Sequence, residues 1–282
     1  MLQVSALYIY PIKSLGGIIV DTAILTDRGL QHDRRWMLID ANNRFLSQRE
    51  NAQMALLKTA LSNEGILVTY LPDNTSITIP FLPQSEEMLE VRIWDDTCRA
   101  QLVSSHIDDW FSEKLNLLCR LVYMPDNIHR PTDPRYTNKG AITSFSDAYP
   151  MLIIGQASLD DLNSRLPDAL PMNRFRPNIV FTGGEAYSED TMKHINVNGI
   201  DMHGVKLCAR CVMTTIDQEN AKKGKEPLKT LAKYRLKNNK IYFGQNLVHT
   251  GEGVLSVGDE ISVLEAHNEE RFFIKAADVA SN

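Results

Sequence analysis

Cys208-Ala209-Arg210-Cys211 sets two thiols on either side of a fixed cation, ahead of a run in which Val212, Thr214, Thr215 and Ile216 read as strand. A thiolate held beside a guanidinium suits a soft metal carried on an anionic cofactor. Three other readings of the spacing compete. A structural zinc site needs four ligands, yet Cys98 and Cys119 stand alone and far away, and His203 and His249 have no histidine at metal-binding spacing. A thioredoxin-like dithiol would sit at a helix N-terminus, where this sequence reads as strand. Two inert core thiols fit as well, because free cysteine behaves as a small buried hydrophobe.

The elements that must position these thiols are mostly short strands separated by turns. Strands are expected over Gln3 to Tyr10, Gly17 to Leu25, Trp36 to Asp40, Gly65 to Leu71, Ser76 to Ile79, Leu89 to Trp94 and Cys98 to Val103. Turn signals such as Asp27-Arg28-Gly29, Asn42-Asn43 and Pro72-Asp73-Asn74 lie between them. That rhythm predicts a mainly β fold, a barrel or sandwich rather than a dinucleotide-binding fold. Helices are expected at Ile107 to Leu117, with Trp110, Phe111, Leu115 and Leu118 on one face, and at Ser158 to Leu166, capped by Ser158 with Asp161 in the capping-box position. A third helix starts near Pro227. Asn51 to Leu61 is ambiguous between helix and strand, and Pro125 to Gly140, including Asn138 and Lys139, reads as a long loop.

Composition narrows the partners. With 282 residues, 43% hydrophobic and 23% charged, the chain can bury a sizeable core. A net charge of -5 and the absence of a basic stripe interleaved with aromatics argue against nucleic acid. The opening Met1 to Tyr8 has no charged leader, and Pro11 and Lys13 break its apolar stretch, so neither a signal nor a membrane span is expected. A cytoplasmic location follows as an expectation, with the four cysteines reduced.

Seven segments taken in order carry a resemblance. They are Tyr10-Pro11-Ile12-Lys13-Ser14, Gly29 to Trp36, Phe145-Ser146-Asp147-Ala148-Tyr149-Pro150, Asn173 to Val180 with its Arg176-Pro177-Asn178, the two-cysteine segment, Glu226 to Arg235, and Phe243-Gly244-Gln245-Asn246. Together they resemble MOSC-domain proteins of the YcbX type, related to the mitochondrial amidoxime-reducing component. The resemblance implies a MOSC β-barrel built from residues 1–36 and 125–266, with a smaller α/β unit at 37–124, a few short helices and a tail at 267–282. In family terms the halves are 1–120 and 125–266, and the cofactor lies between barrel and smaller unit.

The resemblance also assigns roles. Cys211 becomes the catalytic thiolate ligand of molybdenum in a molybdopterin cofactor, and Cys208 a supporting residue. Lys13, Arg34, Arg176 and Arg210 supply cations to its phosphate and pterin, while Ser14, Ser146, Asp147 and Asn178 supply polar partners. Glu226 to Arg235 and Phe243 to Asn246 are read as bracing elements. The implied activity is molybdenum-dependent reduction of small N-hydroxylated compounds. Related bacterial proteins extend into a ferredoxin-like domain, whereas this chain carries no cysteine beyond Cys211, so electrons are expected from a separate ferredoxin, flavodoxin or cytochrome. Two alternatives stay open: a cofactor or sulfur carrier using a cysteine persulfide, and, more weakly, a pyridoxal-phosphate binding protein.

Overall fold

Short strands leave unpaired edges, and the chain removes them by closing seven strands into a barrel. The computed structural model describes residues 1–137 and 140–268 and is mainly β. Around the barrel, Leu2–Ile9 pairs with Ile179–Thr182, then Met151–Gly155, Lys240–Thr250, Ile200–Ala209, Met192–Val197 and Glu260–Ala266, which returns to Leu2–Ile9. Only Met151–Gly155 and Ile179–Thr182 run parallel, so the chain crosses between them through the helix Gln156–Ser164. A bulge between Val4 and Ala6 resets the alternation, and Val4 and Leu7 both join the core with Ile153, Phe181, Ile195 and Leu247.

Between the first strands and the rest of the barrel lie two further sheets. Trp36–Ile39, Arg120–Tyr123, Asp96–Leu102 and Met88–Ile93 form one; Leu57–Leu61, Gly65–Tyr70 and Thr75–Pro80 form the other. The helix Ser105–Leu115 buries Ile107, Phe111 and Leu115 and ends at Asn116, whose left-handed backbone (φ 48°) turns the chain out. Leu118, expected on that helix face, lies beyond this stop and is exposed.

Several local expectations change. Val212–Thr215 is a 3-10 turn and not strand, because the Thr214 and Thr215 hydroxyls donate back to the carbonyls of Cys211 and Val212 at 3.0 and 2.8 Å. Asn51 to Leu61 holds both forms, a 3-10 turn at Ala52–Leu56 and then the strand Leu57–Leu61. Ser158 is no cap: the helix starts at Gln156, and the Ser158 hydroxyl donates to buried Glu189 (2.8 Å) and accepts from the Tyr187 N–H (2.7 Å). Asp161 is likewise drawn away, accepting from the Tyr187 hydroxyl and from Arg165. The third helix is one turn, Leu228–Leu231. In the long loop, Arg130–Pro131 pairs with Ile142–Thr143, while Asn138 and Lys139, and residues 269–282 of the tail, lie outside the described residues.

Candidate functional site

The strand Ile200–Ala209 carries the first thiol out of the barrel, and its ladder ends where the Arg210 N–H bonds the Ile241 carbonyl at 2.7 Å. Cys211 then continues in extended backbone, and its carbonyl is taken by Thr214, so the thiol stands at a corner between strand and turn. It opens into a cavity of about 290 Å³ whose wall contains all nine residues expected at the site: Lys13, Ser14, Arg34, Ser146, Asp147, Arg176, Asn178, Arg210 and Cys211. Ser14, Arg34 and Arg176 in this wall hold left-handed backbone (φ 69°, 50° and 55°), a strained conformation for residues with side chains.

The cations are held in different ways. Arg34 is partly buried and donates to Asp33 at 2.6 Å and to the Asn178 side-chain oxygen at 3.2 Å; burial disfavours its charge, but Asp33 more than offsets this. Arg176 makes no ion pair among the described residues: it donates to the Leu15 carbonyl (2.7 Å), and its guanidinium sits 4.2 Å from the Tyr10 ring centre, with that of Arg34 at 4.6 Å. Burial pulls Arg176 down to about 10. Lys13 donates to the Phe145 carbonyl (2.7 Å) and to Asp147 (2.6 Å), and burial, only partly countered by Asp147, brings it down to about 8. Burial would raise the Asp147 carboxyl, but Lys13 and Arg49 together with the Trp94 indole N–H hold it well below the usual carboxylate range. Burial pushes the Cys208 thiol up, and it packs with the apolar cluster of Phe175 and Phe243, which suits a bracing role.

Not every expected residue is free to meet a ligand. Asn178 accepts from Arg34 and the Leu152 N–H and donates to the Tyr8 carbonyl, so its side chain joins strands and aims Arg34. Ser146 is bonded to the Thr143 hydroxyl, and its carbonyl, with those of Ser144 and Asp147, is gripped by buried Arg130.

Sequence reasoning missed Arg49. Its Nε lies 3.2 Å from Cys211 Sγ, its Nη2 3.3 Å from Asp147, and its guanidinium 4.3 Å from the Trp94 ring centre. No local signal in the sequence marks it; only the structure shows that Ser47 and Gln48 beside it are buried. Arg174, Lys206 and Lys240 also stand in the wall beyond the expected set, giving, among the described residues, eight cations against one carboxylate, Asp147.

The donor set fits an anionic group bearing a soft metal. Arg210 donates through Nε to the Phe243 carbonyl and through Nη1 to the Phe175 carbonyl, both at 2.8 Å, while its Nη2 is buried with no partner among the described residues. An orphaned charged donor is costly, and a phosphate or pterin oxygen would satisfy it. Cys211 supplies the soft sulfur.

A closed barrel with a thiol at the corner of a cationic cavity defines the class of protein. Comparison with known sequences narrows it: residues 141–262 match the MOSC domain and residues 1–117 the MOSC N-terminal beta barrel domain. Mitochondrial amidoxime-reducing component 1 of Mus musculus is 30% identical over 93% of this chain and 82% of its own length. Mitochondrial amidoxime reducing component 2 of Rattus norvegicus is 32% identical over 92% and 82%. Molybdenum cofactor sulfurase of Oryza sativa is 30% identical over 86% of this chain and 32% of its own length. The chain belongs to the MOSC-domain family, in the group that joins this domain to the MOSC N-terminal beta barrel domain.

Proposed function

We propose that this chain is a molybdenum-cofactor enzyme that reduces N-hydroxylated compounds with electrons from a separate redox protein. The observation that carries the reading is the half-buried Cys211 thiol, held by Arg49 at the wall of a cavity with eight cations and one carboxylate. The relatives named for amidoxime reduction and for the molybdenum cofactor support the choice of cofactor and substrate class.

When bound, the cofactor would supply a two-electron redox centre. Cys211 Sγ would hold the metal, and Arg49 would fix that sulfur by its N–H···S contact. Arg176 and Arg210 would clamp the anionic and oxygen-rich parts, using the Arg210 donor that has no partner among the described residues. Lys13 and Asp147 neutralise each other and keep the Phe145 to Asp147 loop against the cavity. The overall change is R–N–OH plus two electrons and two protons giving R–NH and water. A cytosolic setting belongs to the same proposal.

The test is turnover of molybdenum-loaded protein on benzamidoxime with reduced methyl viologen. Benzamidine should form with the wild type and not with Cys211→Ala, while Cys208→Ala should retain a substantial share. A second reading, a sulfur carrier, rests on the similarity to the rice cofactor sulfurase and on the same accessible thiol. It predicts a cyanolysable persulfide on Cys211 and no turnover. No observation favours pyridoxal phosphate, since Lys13, the most enclosed lysine of the wall, is already bonded to Asp147 and Phe145.

A further inference from the structure

Between Lys222 and Lys240 the chain carries seven lysines, all exposed, in a protein whose net charge is -5. Glu226 is the one acidic residue in that stretch, and it is turned inward to accept the Thr230 N–H at 3.0 Å. Arg235 does not share the surface, being fully buried and paired with Asp190 at 2.6 Å. Lys222, Lys223, Lys225, Lys229, Lys233 and Lys240 make no ion pair with a carboxylate among the described residues. A local concentration of cations on an otherwise acidic protein repels itself, and nothing in the fold of this segment requires it, because its packing is carried by buried Leu231, Thr230 and Arg235.

The segment is fastened to the cavity at both ends. At one, Lys223 Nζ donates to the Arg49 carbonyl (3.3 Å), and the Gly224 N–H bonds the Thr215 carbonyl of the turn that follows Cys211. At the other, Lys240 stands in the cavity wall itself, and the one-turn helix Leu228–Leu231 packs against the Val212–Thr215 turn. Two exposed apolar side chains accompany the lysines: Val212, next to Cys211 in sequence, and Leu236. A small apolar contact within a charged rim is the make-up of a transient protein interface.

We propose that this lysine rim is the docking surface for the acidic face of a protein electron donor. The proposal rests on the reductase reading and adds the chemistry of its partner: an acidic one-electron carrier, such as a [2Fe–2S] ferredoxin, held so that its redox centre faces the cavity mouth. Each turnover would oxidise two reduced carriers by one electron apiece, which matches the two electrons that N–O cleavage consumes. Long-range attraction would set the encounter rate and would be screened by salt.

The experiment compares the molybdenum-loaded wild type with the triple variant Lys225→Glu, Lys229→Glu, Lys233→Glu, using a reduced acidic [2Fe–2S] ferredoxin and, separately, reduced methyl viologen. At low ionic strength, kcat/KM for ferredoxin should fall by about tenfold or more in the variant, and the gap should close as salt is raised. Viologen-driven turnover should stay within about twofold, since no substituted lysine lies in the cavity wall. Unchanged ferredoxin kinetics at low salt, or an equal loss with both reductants, would overturn the proposal. Binding of oxidised ferredoxin, followed by calorimetry, reads the docking even if viologen drives no turnover and the reductase reading falls. Salt-sensitive binding that weakens in the variant supports the surface; absence of binding, or preference for a random-sequence RNA over ferredoxin, refutes it.

Discussion

Arg49 Nε lies 3.2 Å from Cys211 Sγ, although the two residues are 162 positions apart, and the same guanidinium reaches Asp147 and stacks on Trp94. A fixed cation beside a thiol attracts anionic reagents more than neutral ones. Arg49→Met should therefore lower the ratio of Cys211 alkylation by iodoacetate to that by iodoacetamide, by about threefold, at a single pH where ionisation cancels from the ratio. Arg49→Lys should recover part of it. An unchanged ratio in Arg49→Met would detach Arg49 from the thiol.

Much of this site was legible because its residues travel in short motifs: Lys13 with Ser14, Ser146 with Asp147, Arg176 with Asn178, Arg210 with Cys211. Each motif names its own turn or strand end, and the structure brings the four to one wall. Arg49 was not legible, since a single arginine after Ser47 and Gln48 looks like any surface charge until Asp147 and Cys211 meet it from elsewhere in the chain. Of the barrel strands, Leu2–Ile9 was legible in the apolar pattern, whereas most of the other expected strands fall in the two smaller sheets; Val212 to Ile216 misled for a local reason: β-branched residues suggest strand, and here two of them, Thr214 and Thr215, turn their hydroxyls back onto carbonyls three residues earlier. The same difference separates Ser158 from the cap that was expected, because Glu189 and Tyr187, remote in sequence, claim its hydroxyl.

Arg34 and Arg176 should respond differently to truncation. Removing Arg34 strands Asp33, a nearly fully buried carboxylate that among the described residues otherwise bonds only the Tyr10 N–H, so Arg34→Ala should cost about 3 kcal/mol of stability or more as well as cofactor occupancy. Among the described residues Arg176 has no carboxylate to strand, and Arg176→Ala should lower occupancy with a smaller loss of stability, about 1 to 2 kcal/mol. Denaturant unfolding together with metal content separates the two effects. Equal stability losses in both variants would contradict the assignment of Arg34 to an ion pair that supports the wall.

Glu189 gives the fold a pH dependence away from the cavity. Its carboxyl is fully buried, with one oxygen on the Ser158 hydroxyl; burial first, and then the neighbouring Asp190 charge, raise it from its ordinary 4.5 to about 7. Because the folded state holds this proton more tightly than the unfolded chain, the contribution to stability is fully present below about 4.5 and is lost as pH rises to about 7. Glu189→Gln keeps a neutral group at all pH values. Thermal unfolding should show a flatter pH profile between 5 and 7 for the variant and, at pH 8, a gain on the order of 1 kcal/mol over the wild type. Parallel profiles for the two proteins would show that Glu189 is not the group responsible.

The most direct test of the account is the metal and pterin content of the protein purified from a host that makes molybdenum cofactor. The wild type should carry close to one molybdenum per chain with extractable molybdopterin, and Cys211→Ala should lose the protein's sulfur ligand and with it most of the metal, while Cys208→Ala keeps its share. Stoichiometric zinc without molybdenum in the wild type, or equal molybdenum in wild type and Cys211→Ala, would contradict it.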